Sequence, residues 1–373
     1  MLKRTILIEN PCHLNVTNDL FQITYKFSNP PVETGLRPVS TTTTNPPVKT
    51  GLRPVSTTTT NPTVETGLRP VSTTTNPIPE TGLRPVSTSS STNPPVKTGL
   101  RPVSTSDSTT MPFDEIGYII IENIQTTATL HFFQKCAENN VVIAFCDKSH
   151  TPVSLATPLY SHTTQTQTLN NQLELTDTLK NNLWKQLISS KISNQARLLK
   201  KLNKDYLQLE KISKKLTIQN TNTSEATASR FYWSHIFDKS KFVRDPDGDP
   251  PNNLLNYGYA ILRAATVRAL ISSGLLPQIS FKHHNKYDPL PLADDVMEPY
   301  RAYVDEIVYE LFNERDYYIL HHENKEKLLK VLVCDTKIGT VKRPLMIALT
   351  YTTASIAKVV NKKSNYLALP KME

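Results

Sequence analysis

Apolar positions near the start of the chain come in short alternating or continuous blocks. Residues 5–9, 13–16 and 21–27 read as short strands, and the runs GYIII and VVIAFC, at 117–122 and 141–146, as buried ones. Between those two runs Leu130, Phe133 and Ala137 recur at helical spacing, so 126–139 reads as a helix. From about 165 onward the period is helical. Residues 179–215 keep Leu183, Leu187, Ile188, Ile192, Leu199 and Leu209 on one side and read as a long helix or a helical pair. Helices follow at 224–237 and 252–273, the second apolar enough to be central. Residues 292–314 are amphipathic but contain Pro299, which removes one backbone hydrogen bond and predicts a kink. Residues 340–360 read as a closing helix over most of their length. The pattern predicts an α+β protein, with a β-rich N-terminal domain at 1–28 and 111–160 and an all-α C-terminal domain at 161–373.

Residues 29–110 break this pattern. GLRPVS recurs with its glycine at Gly35, Gly51, Gly67, Gly82 and Gly99, a nearly constant period that points to tandem duplication of a short DNA segment. The segment holds 14 of the 27 prolines and no aromatic residue or cysteine. Each unit offers only about three small apolar residues to a core, too few to offset the ~1–2 kcal/mol per residue that ordering a backbone costs. The expectation is a disordered, partly polyproline-II insertion between two strands of the N-terminal domain. A glycosylated stalk or a partner-binding tail are the other readings of so much Thr and Ser. The asparagines of the repeat precede proline, which blocks N-glycosylation.

The net charge of +9 is concentrated. Residues 180–215 hold ten Lys or Arg against two acids. A basic helix there fits a polyanion, most simply nucleic acid, or is a solvated face. Outside the repeats only Gly117, Gly248, Gly258, Gly274 and Gly339 remain, and none builds a GxGxxG or a phosphate-binding loop. That argues against nucleotide-fold enzymes, and GxSxG and HExxH are also missing. Cys12, Cys136, Cys146 and Cys334 form no CxxC pair and read as reduced, buried thiols of a cytoplasmic protein. The opening apolar run is too short for a signal peptide, and no 18-residue apolar run follows, so no membrane segment is expected.

One cluster could carry chemistry. His283 and His284 lie in a loop, FKHHNKYDPLP, and the next helix opens with Asp294, Asp295 and Glu298. Asp294 and Glu298, four apart, and Asp295 and Glu298, three apart, can share a face. Carboxylates with an imidazole suit Mg2+ or Mn2+, which prefer oxygen and accept a nitrogen ligand. Acids in a first helical turn equally serve the helix dipole. Glu225 is a further candidate ligand, although Ser224 could cap that helix with Glu225 merely favouring its N-terminus.

These residues stand in stretches that resemble the CRISPR-associated endonuclease that acts as the integrase of spacer acquisition, in the form found beside type II interference systems. The resemblance opens at MLKRTILIENPCHL and continues through GYIIIENIQTTATLHFFQKCAENNVVIAFCDKSHTP. It resumes at LWKQLISSKISNQA, SEATASRFYW, LLNYGYAILRAA, LADDVMEPYRAYVDEIV and LLKVLVCDTKIGTVKRPLM, and so covers nearly everything but the repeats. It implies one divalent-metal site, Mg2+ or Mn2+, held by Glu225, a histidine and Glu298, with Asp295 as an auxiliary acid. The ungapped register gives His283, and a one-residue shift gives His284. The family's glycine after the first Glu is Ala226 here. The implied reaction is attack of a DNA 3′-hydroxyl on a phosphodiester at a CRISPR repeat boundary, or hydrolysis when water attacks. In this setting Lys191, Arg197, Lys200, Lys201 and Lys204 become candidate phosphate contacts. The resemblance also implies double-stranded DNA as substrate, a homodimer, and a heterohexamer with a small ferredoxin-like acquisition subunit. Asn256 to Tyr259 read as packing around the site, with Gly258 allowing a neighbour's close approach. The alternative of another class is a DNA-binding scaffold that keeps fold and partner without turnover.

Overall fold

Two four-stranded sheets share a core in the N-terminal region of the computed structural model, which describes residues 4–25, 108–148, 152–159, 162–237, 242–282, 286–314 and 319–373. The strands in chain order are β1 (Arg4–Ile8), β2 (Cys12–Thr17), β3 (Leu20–Tyr25), β4 (Ser108–Pro112), β5 (Ile116–Ile121), β6 (Thr127–Ala128), β7 (Val142–Cys146) and β8 (Pro152–Ala156). Helix α1 (Leu130–Glu138) precedes β7. One sheet has the order β1-β5-β7-β8, with β1, β5 and β7 mutually parallel and β8 antiparallel at the edge. The other has the order β4-β3-β2-β6, with β6 parallel to β2 and the rest antiparallel.

The strand β5, IGYIII, is buried along its whole length. Side chains of a strand alternate between faces. Ile119 and Ile121 therefore join Leu14, Phe21 and Phe132 in the core between the two sheets. Tyr118 and Ile120 join the helical core on the other face. That explains why the run reads as continuously apolar rather than alternating.

The helical part comprises α2 (Gln165–Leu173), α3 (Asp177–Lys201), α4 (Leu207–Lys214), α5 (Thr221–Ile236), α6 (Asn252–Ser272), α7 (Pro291–Met297), α8 (Arg301–Phe312) and α9 (His322–Leu329), and ends with α10 (Leu345–Val360). The side chain of Thr176 caps α3 by accepting from the Leu179 amide. Asn203, at φ 55°, turns the chain between α3 and α4, so the segment is a helical pair. Pro299 sits in a 3₁₀ turn, Glu298–Tyr300, that separates α7 from α8, which is the kink expected from the sequence.

Three expectations need correction. The C-terminal part is not all-α: β9 (Asp335–Ile338), β10 (Val341–Pro344) and β11 (Pro370–Lys371) form a small sheet in the order β10-β9-β11. Gly339, at φ +60°, turns the chain from β9 into β10, so the closing helix starts at Leu345. The repeat segment lies outside the described residues except at its end, where residues 108–110 belong to β4 rather than to an insertion. There Ser108, Thr109 and Thr110 pair with Thr24, Ile23 and Gln22 in a ladder that composition alone could not reveal. Ser224 does not cap α5, because the helix starts a turn earlier, after Asn220.

Candidate active site

Three elements meet at one cation. Lys191 projects from α3, Glu225 from the second turn of α5, and Glu298 from the 3₁₀ turn before α8. The Lys191 ammonium lies 2.7 Å from Glu225 Oε1 and 2.7 Å from Glu298 Oε2. The other oxygen of Glu298, Oε1, is 3.0 Å from Arg301 Nε, one turn further on. Lys191 is buried, only 8% exposed, and so is Glu298. Burial alone lowers the Lys191 pKa, but the Glu298 and Glu225 carboxylates outweigh it and raise the ammonium's pKa above the ordinary lysine value.

The 3₁₀ turn is fixed from α3 as well. Asn194, one turn after Lys191, donates from Nδ2 to the Pro299 carbonyl at 2.8 Å. Its Oδ1 accepts from the Met372 amide at 3.1 Å. Asn194 is fully buried, so both bonds form away from water. Behind the carboxylates, Asp305 accepts from the Tyr232 hydroxyl at 2.7 Å and from the Tyr259 hydroxyl. Tyr232 lies on α5, two turns after Glu225, and Asp305 lies on α8, so this contact ties the two carboxylate-bearing segments together. Arg301 stacks over the Tyr259 ring at 4.6 Å. Burial pushes the Asp305 carboxyl up to about 6, against the lowering effect of the two hydroxyls and of Arg301.

The candidate acids separate. Glu225 and Glu298 converge, whereas Asp294 turns away to Arg263 Nη2 at 2.5 Å, beside Asp288 on the same guanidinium at 2.6 Å. Asp294 and Glu298 therefore do not act on one face as a pair. Asp295 is fully buried and accepts the backbone N–H groups of Phe281 and Lys282 at 2.7 and 3.0 Å. It thereby holds the chain that leads directly into His283. His283 and His284 themselves lie outside the described residues.

Of the five basic residues, Lys191 is inside the site rather than on a solvated face. Lys204 donates to the Ile236 carbonyl at 2.6 Å, Lys201 pairs with Glu306 at 2.6 Å, and Arg197 donates to Asn194 Oδ1 at 3.1 Å. Lys200 is exposed, with its ammonium 5.4 Å from the centre of the Tyr206 ring.

Glu225 and Glu298 suit a divalent ion of the Mg2+ or Mn2+ type, because two hard oxygen donors already converge on a single positive charge. Among the described residues no group of three His, Cys, Asp or Glu side chains converges. Arg301 also lines a cleft of about 760 Å³ with Arg244, Arg263 and Tyr259. Sequence reading missed Asn194, Arg301, Asp305 and the inward Lys191. Their signals were spacings: Lys191 falls among Leu187, Ile188 and Ile192, and Asp305 lies seven residues after Glu298, on the same side of the segment.

The family model for CRISPR associated protein Cas1 matches residues 102–340. The chain is 31% identical over 267 residues to the CRISPR-associated endonuclease Cas1 of Neisseria meningitidis serogroup C, covering 70% of this chain and 87% of that protein. It is 30% identical over 184 residues to a CRISPR-associated endonuclease Cas1 of Pyrobaculum aerophilum, covering 46% of this chain and 62% of that one. Among solved structures, a casposase bound to integration product superposes with a TM-score of 0.65 at 17% identity, over 98% of this chain and 92% of that one, a likeness of fold. By the family match and the Neisseria relative, the chain belongs to the Cas1 family of CRISPR-associated proteins.

Proposed function

We propose that this chain is a metal-dependent DNA endonuclease and integrase that inserts foreign DNA fragments into a CRISPR array. The observation that carries the reading is the convergence of Glu225 and Glu298 on one cation. Membership of a family whose curated relatives are called endonucleases supports it. Glu225, Glu298 and a histidine of the loop that precedes α7, His283 or His284, would hold Mg2+ or Mn2+. The ion, when bound, supplies charge stabilisation to a phosphodiester. Asp295 holds the approach to the histidine loop, and Asn194 holds the turn that presents Glu298. Arg244, along the neighbouring cleft, gives a guanidinium group suited to a DNA phosphate, whereas Arg263 is held by Asp288 and Asp294 and Arg301 by Glu298. In integration a 3′-hydroxyl attacks phosphorus, the bond to the repeat strand's 3′-oxygen breaks, and that oxygen leaves as a new 3′-hydroxyl. With water as nucleophile the same exchange is hydrolysis.

The assembly belongs to the same proposal: a homodimer acting in the cytoplasm with a small ferredoxin-like acquisition subunit on double-stranded DNA. A solved Cas6-RT-Cas1–Cas2 complex has a chain of similar fold, with a TM-score of 0.61. The test is incubation of the purified protein with branched or prespacer DNA and Mn2+. Glu225→Ala is expected to abolish cleavage and strand transfer while leaving DNA binding in place. Undiminished activity in that variant would overturn the assignment, and DNA binding without any turnover in the wild type would leave a scaffold in place of an enzyme.

A further inference from the structure

We infer that Lys191 is a built-in, displaceable counter-ion of the metal site, a positioning residue that sets how tightly the site takes its divalent ion. The inference rests on the metal-site reading above and extends it. In the described structure the formal charges of Glu225 and Glu298 are balanced by Lys191 and Arg301, all in contact. Two carboxylates brought together in a largely buried site repel one another unless a positive group lies between them. Lys191 is that group, and α3 keeps it there, because its neighbours Leu187, Ile188 and Ile192 are fully buried.

The same geometry makes the lysine and the metal rivals. Mg2+ or Mn2+ binds carboxylate oxygens at about 2.0–2.2 Å. The ammonium stands 2.7 Å from one oxygen of each carboxylate, so an ion held by Glu225 and Glu298 would compete with it for the same place. A lysine can yield, since its charge rides on a flexible four-carbon stem. Arg301 differs: it engages the opposite oxygen of Glu298 and is stacked on Tyr259, so it stays. Metal entry is therefore an exchange of one cation for another.

The experiment measures Mn2+ affinity by electron paramagnetic resonance and thermal melting in EDTA and in Mn2+, without DNA. Wild type, Lys191→Gln, Lys191→Arg and Glu225→Gln are compared. Lys191→Gln is expected to bind Mn2+ at least tenfold more tightly than wild type. It should melt lower in EDTA, with the gap closing in saturating Mn2+. Lys191→Arg, which keeps the charge, should show no such gain. A structural role alone would not raise metal affinity. Unchanged or weaker Mn2+ binding in a folded Lys191→Gln overturns the inference. Should Lys191→Gln be unfolded in EDTA, folding on Mn2+ addition is the expected result, and failure to fold then overturns it. Wild type that binds no Mn2+, or whose binding is indifferent to Glu225→Gln, overturns the metal site itself and the inference with it.

Discussion

Asp305 illustrates how a single buried side chain can organise two helices and leave a measurable trace. It is fully buried, yet both its oxygens are used, one by Tyr232 and one by Tyr259. Burial raises its carboxyl to about 6 in the folded protein, from about 3.9 in an unfolded chain. Between those two values the folded state holds more of the proton than the unfolded state does. The group's stabilising contribution is thus present in full below about pH 4 and is lost as pH rises through about 6. Over that window it amounts to about 3 kcal/mol. Asp305→Asn removes the titration and leaves one acceptor oxygen for the two hydroxyls, an offset that is the same at every pH. Urea unfolding in EDTA at a series of pH values should therefore show the wild type's advantage over Asp305→Asn shrinking from pH 4 to pH 7. A difference that stays flat or grows with pH would show that burial does not raise this carboxyl above its unfolded value.

Among the elements, α6 was the most legible in the sequence and α3 the least. Gly258 inside a buried helix signalled a close neighbour, and the neighbour is Val304 of α8. A Cβ added at Gly258 would lie 2.4 Å from Val304 Cγ1, a distance that no real contact tolerates. Gly258→Ala should therefore destabilise the protein by about 1–3 kcal/mol, despite the better helix propensity of alanine. Val304→Ala in the same chain should recover part of that loss, giving a coupling of about 1 kcal/mol in urea unfolding. Full stability in Gly258→Ala would mean the two helices do not approach so closely. In α3, by contrast, the basic count hid the one lysine that points inward, because the charge of 180–215 says nothing about which side each residue takes. The Pro299 kink was readable because proline acts locally. The hold of Asn194 on that kink was not, since its partners are 105 and 178 residues away. The β9–β10 hairpin left a local signal in Gly339-Thr340, obscured by the strong apolar run that follows in α10.

At the scale of the whole molecule, the sheet containing β5 faces both the strand-rich core and the helical core, so the described residues form one contact unit. Buried ion pairs reinforce that junction: Lys325 of α9 reaches Glu122 at 2.5 Å and Glu9 at 3.3 Å, and the Tyr257 hydroxyl of α6 donates to Glu122 at 2.8 Å. The repeat segment enters the fold elsewhere, between β3 and β4, which are hydrogen-bonded neighbours paired from Leu20↔Pro112 to Thr24↔Ser108. A connection between adjacent antiparallel strands needs only two residues to close. For a flexible connection the closure entropy grows only slowly with length, so one of roughly 80 residues would cost about 3 kcal/mol more than a tight turn. Replacing residues 26–106 with Asn-Gly should leave the strand ladder intact and raise the unfolding free energy by about that amount, read from the urea midpoint at unchanged metal content. Cleavage of branched DNA and dependence on Glu225 should be retained, because the site is built from α3, α5 and the Pro299 turn, none of which borders this hairpin in sequence. A shortened protein that loses stability would show that the repeats contribute to the fold. One that keeps stability but loses integration would move them into the function.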